Sequence, residues 1–241
     1  MDRRTFCKST GAIGATIGTA GCLGVLGNEG AEGTVLGPPE QDLSEAVHPS
    51  YGDEMPHFTV PDPITNEEIS ISEYEGERAI LWTSFYTNCP DGVCPALILR
   101  LRRAQEAASE EEYSDRIMSL AITFDPERDT AETLHEYAGQ QGVNLDASNW
   151  HFLRPESYER GQELLDEKFG LVIEKISADE HDDEHENDGH DDEHGTLEYQ
   201  FPHYGLILLA NKQGIVERAY PRGPQTDIER LVNDVERVAT T

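Results

Sequence analysis

The sequence predicts an α/β fold, because apolar runs with the length of buried strands alternate with stretches of helical periodicity. Two such runs cover residues 79–85 and 118–124, and a helical pattern covers residues 94–108 between them. A hairpin and a last helix are predicted near the end of the chain. With 241 residues, the chain can form one good-sized core with appendages. A single α/β domain therefore accounts for most of the sequence.

The predicted elements follow one another in βα order after a short N-terminal β-hairpin at residues 58–60 and 69–71. The helix at 94–108 is assigned because Leu97, Leu101 and Ala104 share one face. The remaining elements are a strand at 118–124, a helix at 130–141 with Asp129 as its cap and Gly142 as its stop, a strand at 150–153, a helix at 157–169, a hairpin at 206–210 and 215–220, and a helix at 226–238. This order fits a thioredoxin-like sheet.

Residues 179–195 are predicted to form an acidic, His-rich loop inserted into this fold, because they contain no apolar side chain. The pattern HDDEH occurs twice within the loop. Its four imidazoles are a possible secondary metal site for Cu(II) or Zn(II), since a spacing of four places them on one face if the loop becomes helical. A solvated acidic loop without a metal is the default interpretation. The four histidines are His181, His185, His190 and His194.

The charge of the chain excludes one class of function and indicates an environment. There are 48 Asp and Glu residues against 18 Lys and Arg, a formal net charge of −30, and the acidic residues are spread along the sequence. Such a chain is not expected to bind nucleic acid. The composition is typical of a halophilic protein, whose acidic surface stays soluble in strong salt. Docking to a cationic partner face is compatible with it.

The N-terminal residues predict export and a lipid anchor. The sequence RRTFCK at residues 3–8 has the form of a twin-arginine signal, and TAGC at residues 19–22 resembles a lipoprotein cleavage box. We therefore predict a signal peptide at 1–21 and a lipid on Cys22, at the extracytoplasmic face of the cell membrane. The alternative, a transmembrane anchor at 11–26, is disfavoured because the stretch is short and rich in glycine.

A flexible tether is predicted between this anchor and the folded domain. Residues 22–54 are rich in Gly, Glu and Pro, and they show no apolar period. The folded domain is accordingly assigned to residues 55–241.

Two cysteines are placed at a predicted strand-to-helix turn. Cys89 and Cys94 follow the strand at 79–85 and precede the helix at 94–108. Backbone N–H groups and the helix dipole stabilise thiolates at such a position, which makes them nucleophiles and ligands for soft metals. With Cys7 removed in the signal peptide and Cys22 lipidated, these would be the only thiols of the mature chain. A redox or metal site is favoured over a structural disulfide.

Four motifs follow one another along the chain, namely CPDGVCP at 89–95, DPERDT at 125–130, WHFL at 150–153, and a histidine, His203, ahead of an apolar strand. Together they resemble the Sco/SenC family of copper-binding thioredoxin-fold proteins, which take part in cytochrome c oxidase assembly. The resemblance extends over roughly residues 55–238. The family pattern has three residues between its cysteines, whereas this chain has four, and Gly92 is the apparent insertion.

The resemblance implies a copper site and a function. Cys89, Cys94 and His203 would be the ligands, a set that can hold Cu(I) in trigonal geometry and Cu(II) with a further ligand. The implied function is that of a membrane-tethered copper chaperone, which delivers copper to the binuclear site of a haem-copper (cytochrome c) oxidase subunit. It would be a carrier rather than a turnover enzyme. The alternative is an extracytoplasmic thiol-disulfide oxidoreductase that keeps partner cysteines reduced, with Cys89 as the attacking thiol.

Other residues of the motifs receive weaker assignments. Asp125 is a candidate to face the cysteine loop, whereas Glu127 and Arg128 are expected to form local pairs. Trp150 is expected in the core. Pro202 stands where the family commonly has an aspartate before the histidine.

Overall fold

The computed structural model describes residues 30–177, 199–202 and 205–241. The hairpin comprises β1 (Thr59–Asp62) and β2 (Glu67–Ser70), which pair antiparallel. The elements that follow are β3 (Ala79–Phe85), α1 (Val93–Glu110), β4 (Ile117–Thr123), α2 (Ala131–Gln141), β5 (Trp150–Leu153), α3 (Tyr158–Phe169), β6 (Ile176–Ser177), β7 (Tyr199–Gln200), β8 (Ile207–Ala210), β9 (Val216–Tyr220) and α4 (Ile228–Ala239).

A five-stranded sheet forms the centre of the fold, in the order β5-β4-β3-β8-β9. Strands β3, β4 and β5 are parallel, while β8 pairs antiparallel with both β3 and β9. The parallel strands read as apolar runs because both of their faces are covered: all seven residues of β3 and of β4 are buried. The predicted thioredoxin-like α/β fold with an N-terminal hairpin is confirmed.

Aromatic side chains join the helices to the sheet. The ring of Trp82 on β3 stacks on that of Phe169 on α3, with centroids 3.9 Å apart, and Phe85 stacks on Tyr137 of α2 at 5.7 Å. Trp150 is 3% exposed, so the prediction that it belongs to the core is confirmed. Burial of rings of this size supplies much of the hydrophobic stabilisation of the domain.

The helix cap predicted at Asp129 is wrong. Thr130 is the N-cap of α2, and its Oγ1 accepts the N–H of Thr133 at 3.2 Å. The Asp129 carboxylate lies one residue too early for this bond and accepts hydrogen bonds from Thr87 and Thr123 instead. The helix ends as predicted, at Gly142, whose φ of 71° is left-handed.

The described part of the predicted tether packs on the edge of the sheet. Leu36 is 1% exposed, and the buried carboxylate of Glu217 on β9 accepts the N–H groups of Val35 and Leu36 at 2.6 and 2.9 Å. Further along, Gly52 N–H donates to the carbonyl of Val216. These contacts cover the edge strand β9, which would otherwise present open backbone groups. The division of the chain at residue 55 stays a prediction.

No helix among the described residues is long and apolar enough to cross a membrane. The twin-arginine motif, Cys22, His203 and the His-rich repeat lie outside the described residues.

Candidate functional site

The cysteine loop connects the end of β3 to the start of α1. Gly92 is the N-cap residue of the helix, with φ 76° and ψ 3°, a left-handed conformation that glycine adopts without steric cost. Pro95 lies in the first turn, where its missing N–H removes no helical hydrogen bond. The loop thereby places Cys94 inside the first turn of α1 and leaves Cys89 on the connection before it.

Both cysteines are present as thiols, and the Cys89 side chain contacts the backbone of Cys94. The Cys89 sulfur accepts the backbone N–H of Cys94 at 3.2 Å, and the Cys89 thiol donates to Oδ1 of Asp91 at 2.9 Å. The helix start therefore supplies a backbone donor to Cys89, as the sequence predicts. The two sulfur atoms form one site.

The surroundings of the two thiols differ. Cys94 is 0% exposed, whereas Cys89 is only partly buried. Burial raises the pKa of the Cys94 thiol well above its usual range, and the neighbouring Cys89 raises it further. The expectation that the helix start stabilises both thiolates is thus wrong for Cys94, because desolvation outweighs the Tyr86 N–H that favours the thiolate. Cys89 is the more accessible of the two sulfurs.

Two tyrosines line the inner side of the site. Tyr86 donates its backbone N–H toward the Cys94 sulfur at 3.5 Å, and its ring packs on Phe124 and Phe201 with centroids 5.1 and 5.2 Å away. Burial raises the pKa of Tyr86 and of Tyr137, and nearby cysteine charge contributes to both shifts. The Tyr137 hydroxyl is buried without a hydrogen-bond partner among the described residues. Sequence analysis did not identify either tyrosine, because aromatic residues beside strands are usually core residues.

Asp129 connects the cysteine loop to the end of β4 through hydrogen bonds. Its carboxylate is 0% exposed and accepts the N–H and the hydroxyl of Thr87, two residues before Cys89, and the hydroxyl of Thr123 at the end of β4. Burial raises its pKa to about 6, although these hydrogen bonds act in the opposite direction. The role of this residue is to connect the loop to the sheet.

Asp125 hydrogen-bonds toward β7. The Tyr199 hydroxyl donates to Asp125 Oδ1 at 2.9 Å, and Arg128 lies 3.5 Å from Oδ2. Arg128 pairs locally, as predicted, whereas the partner of Glu127 is the distant Lys175 at 2.7 Å. Sequence analysis missed Tyr199, since the two-residue strand that carries it shows no periodicity.

The chain on either side of residues 203–204 is described, and it lies beside the cysteine loop. Phe201 is 3% exposed and contacts Tyr86. On the other side, a Cβ built on Gly205 would lie 3.6 Å from a methyl group of Val93, the first residue of α1. Within the described ranges, no group of three or more His, Cys, Asp or Glu side chains is arranged to hold a metal ion. The ligand role of His203 stays a prediction.

Comparison with known proteins finds a matching family model and similar proteins. Residues 52–154 match the family model described as SCO1/SenC. A curated relative, the mitochondrial protein SCO1 homolog 1 of Arabidopsis thaliana, is 39% identical over 62 residues. This match covers 26% of the present chain and 18% of the relative, so the chain spans less than a fifth of the length of the curated relative it matches.

Solved structures agree with the fold over most of the domain. A SCO1/SenC family lipoprotein from Bacillus anthracis is 21% identical with a TM-score of 0.57, and the match covers 77% of this chain and 95% of that one. The copper-bound ScoI of Bradyrhizobium japonicum is 19% identical with a TM-score of 0.55, covering 77% and 99%. At these identities the likeness shows the fold. Together with the family model, it confirms the resemblance predicted from the motifs.

Proposed function

We propose that this chain is a copper chaperone for a haem-copper (cytochrome c) oxidase, because its residues 52–154 match the SCO1/SenC family model. Copper is its cargo, and the binuclear copper site of an oxidase subunit is the destination. The observation that carries the proposal is the pair of thiols at the start of α1, close enough for the Cys89 sulfur to accept the N–H of Cys94 at 3.2 Å. A solved relative from Bradyrhizobium japonicum binds copper.

The donor set suits copper in its reduced state. Two thiolates are soft ligands that select Cu(I), and an imidazole from His203 would complete a trigonal set. Burial favours the protonated form of Cys94, so its proton leaves when the metal binds, and the metal supplies the compensating charge. We expect copper binding to tighten as the pH rises for this reason.

Transfer would proceed by ligand exchange at the exposed side of the site. Cys89 is partly exposed, whereas Cys94 is buried, so a partner thiolate replaces Cys89 on the metal first and Cys94 second. Each step forms one copper–sulfur bond and breaks another, with no change in oxidation state. Protons return to Cys89 and Cys94 as the copper leaves.

A thiol-disulfide oxidoreductase is the alternative function, and the same pair of thiols favours it. Cys89 would attack a partner disulfide, and Cys94 would then displace the partner thiolate to form a Cys89–Cys94 disulfide. Two electrons thereby pass from this chain to the partner: the partner disulfide breaks, and the Cys89–Cys94 disulfide forms. The high pKa of the buried Cys94 thiol acts against both functions, because copper binding and the second step of disulfide exchange each require its thiolate. The carrier function is preferred because a solved relative is copper-bound.

Copper titration of the reduced protein tests the proposal. We would use the full chain with Cys7→Ser and Cys22→Ser, so that only Cys89 and Cys94 supply thiols, and titrate Cu(I) without oxygen against a competing chelator. The expected result is tight one-to-one binding that Cys89→Ala and Cys94→Ala abolish and His203→Ala weakens. His135→Ala serves as the matched control, since this exposed histidine on α2 should leave binding unchanged.

Two results would contradict the chaperone function. Absence of tight binding, with reversible oxidation of the two cysteines intact, would establish the oxidoreductase. Binding that survives both cysteine substitutions would place the copper elsewhere in the chain. The Cys22→Ser background also tests the proposed lipid anchor on the extracytoplasmic face, because export with loss of the anchor should move the protein from the membrane to the soluble fraction.

A further inference from the structure

Two cations hold the ring of Tyr199 on β7. The guanidinium carbon of Arg128 lies 3.3 Å from the ring centroid, and the Lys175 ammonium lies 3.7 Å from it. Arg128 also donates to the Tyr199 carbonyl at 3.1 Å, and Lys175 is held in turn by Glu127 at 2.7 Å. Close contacts of both cations with one ring are attractive because the ring face carries partial negative charge.

The hydroxyl of Tyr199 provides a further connection. It donates to Oδ1 of Asp125 at 2.9 Å, and Asp125 is 1% exposed on the loop that follows β4. Ring and hydroxyl therefore attach the short strand β7 to the connection between β4 and α2. This attachment is needed because β6 and β7 pair over only two residues each, and a ribbon of that length is not stable by itself.

A row of aromatic contacts leads from Tyr199 to the cysteine loop. The ring of Tyr199 packs on Phe201 with centroids 5.5 Å apart, and Phe201 packs on Tyr86 at 5.2 Å. The backbone N–H of Tyr86 points at the Cys94 sulfur at 3.5 Å. Fixing Tyr199 thus fixes the position of the chain at 199–202 relative to the two thiols.

We propose that Tyr199 is a positioning residue for the metal site, holding the segment that leads into His203 against the cysteine loop. This inference rests on the proposed function, in which His203 is the third ligand. An imidazole contributes to affinity only if its backbone is already placed, because ordering a loose segment on binding costs conformational entropy. Tyr199 supplies that placement from four residues away, without touching the ligands itself.

Two substitutions separate the contribution of the Tyr199 ring from that of its hydroxyl. Tyr199→Phe keeps the ring in contact with both cations and removes the hydrogen bond to Asp125. Tyr199→Leu removes both the ring and the hydrogen bond. Tyr158→Phe is the matched control: it deletes a tyrosine hydroxyl, one that donates to the Ile173 carbonyl at 2.9 Å, from a ring that also packs on Phe201. The control loses the same chemical group without releasing β7.

The measurements are copper affinity, the electron paramagnetic resonance spectrum of the Cu(II) form, and hydrogen exchange of the backbone amides of residues 199–201 in the metal-free protein. We expect Tyr199→Leu to bind copper about tenfold more weakly, as is usual for loss of a group that orients a ligand. Its spectrum should shift toward that of His203→Ala, and hydrogen exchange at the amides of residues 199–201 should accelerate. Tyr199→Phe should give a smaller change of the same kind, and Tyr158→Phe should match the parent.

Parent-like affinity, spectrum and exchange in Tyr199→Leu would overturn the inference. If Tyr199→Leu does not fold, Tyr199→Phe decides, since it keeps the ring packing. Failure of the proposed function has a different signature, namely a parent that binds no copper. The exchange rates then still show whether Tyr199 holds the segment, because that measurement needs no metal.

Discussion

Among single residues, Asp129 gives the clearest pH-dependent prediction. Its pKa is raised from 3.8 to about 6 in the folded protein, mainly because the carboxylate is buried. The folded state therefore binds more protons than the unfolded state between these pH values. The contribution of this group to stability is fully present below pH 4, and it is lost as the pH rises through 6. Two units of pKa correspond to a loss on the order of 3 kcal/mol.

We expect Asp129→Asn to remove this dependence, because the amide is neutral throughout. The free energy of unfolding, measured in urea at constant high salt, should fall between pH 4 and 7 more for the parent than for Asp129→Asn. Asp146→Asn changes an exposed carboxylate and should follow the parent. If the unfolding free energy changed with pH equally in the parent and in Asp129→Asn, the pKa of Asp129 would be the same in the folded and unfolded states, which would contradict the prediction.

The cysteines show what the identity of a residue can and cannot predict. The position of Cys89 and Cys94 at a helix start follows from an apolar strand, a turn with glycine, and a helical pattern. The unequal burial of the two thiols does not follow, because it depends on tertiary packing, in which the Tyr86 backbone N–H lies 3.5 Å from the Cys94 sulfur. For the same reason the pKa of Cys94 could not be inferred from the helix dipole alone.

Among the secondary-structure elements, the start of α1 depends on Gly92. Its φ of 76° is left-handed, and a Cβ added there would meet no atom within 4 Å. The cost of a side chain is therefore one of backbone conformation alone, and Gly92→Ala should lose about 1 kcal/mol of unfolding free energy. Gly92→Asn should lose less, since asparagine adopts this conformation more readily.

A second glycine provides the control for this prediction. Gly139 lies within α2, also with no atom within 4 Å of a built Cβ, but without a positive φ. Gly139→Ala should therefore stabilise the protein by up to about 1 kcal/mol in urea unfolding. Equal effects of alanine at the two positions would mean that Gly92 is not constrained in solution.

The sequence predicts the buried strands more accurately than the short strands at the surface, because buried strands consist largely of apolar residues. Strands β3 and β5 agree with prediction to the residue, because most of their side chains are large, apolar and buried in the core. The pair β6 and β7 could not be predicted, since two residues contain no period and the ribbon depends on cations from other segments. The packing of residues 35–36 could not be predicted from the sequence either, because it depends on Glu217, about 180 residues later in the chain.

For the whole molecule, the net charge of −30 makes stability depend on salt. Repulsion between surface carboxylates acts over about 10 Å in 0.1 M salt and about 3 Å in 1 M salt. The midpoint of urea unfolding should therefore rise between 0.1 and 1 M KCl. Urea is the appropriate denaturant, because guanidinium would itself screen the charges.

The C-terminal end of α1 offers a way to separate charge screening from other effects of salt. Glu110 and Glu111 are exposed there, the last turn contains no basic residue, and the negative end of the helix dipole repels both carboxylates. The double variant Glu110→Gln, Glu111→Gln should be more stable than the parent in 0.1 M KCl, by roughly 0.5–1 kcal/mol. In 1 M KCl the difference should vanish, because screening removes the repulsion that glutamine avoids. If the stability difference between the double variant and the parent were the same in 0.1 and 1 M KCl, charge screening would not explain the effect of salt. The salt effect would then be attributed to hydrophobic burial, and the acidic surface to solubility alone.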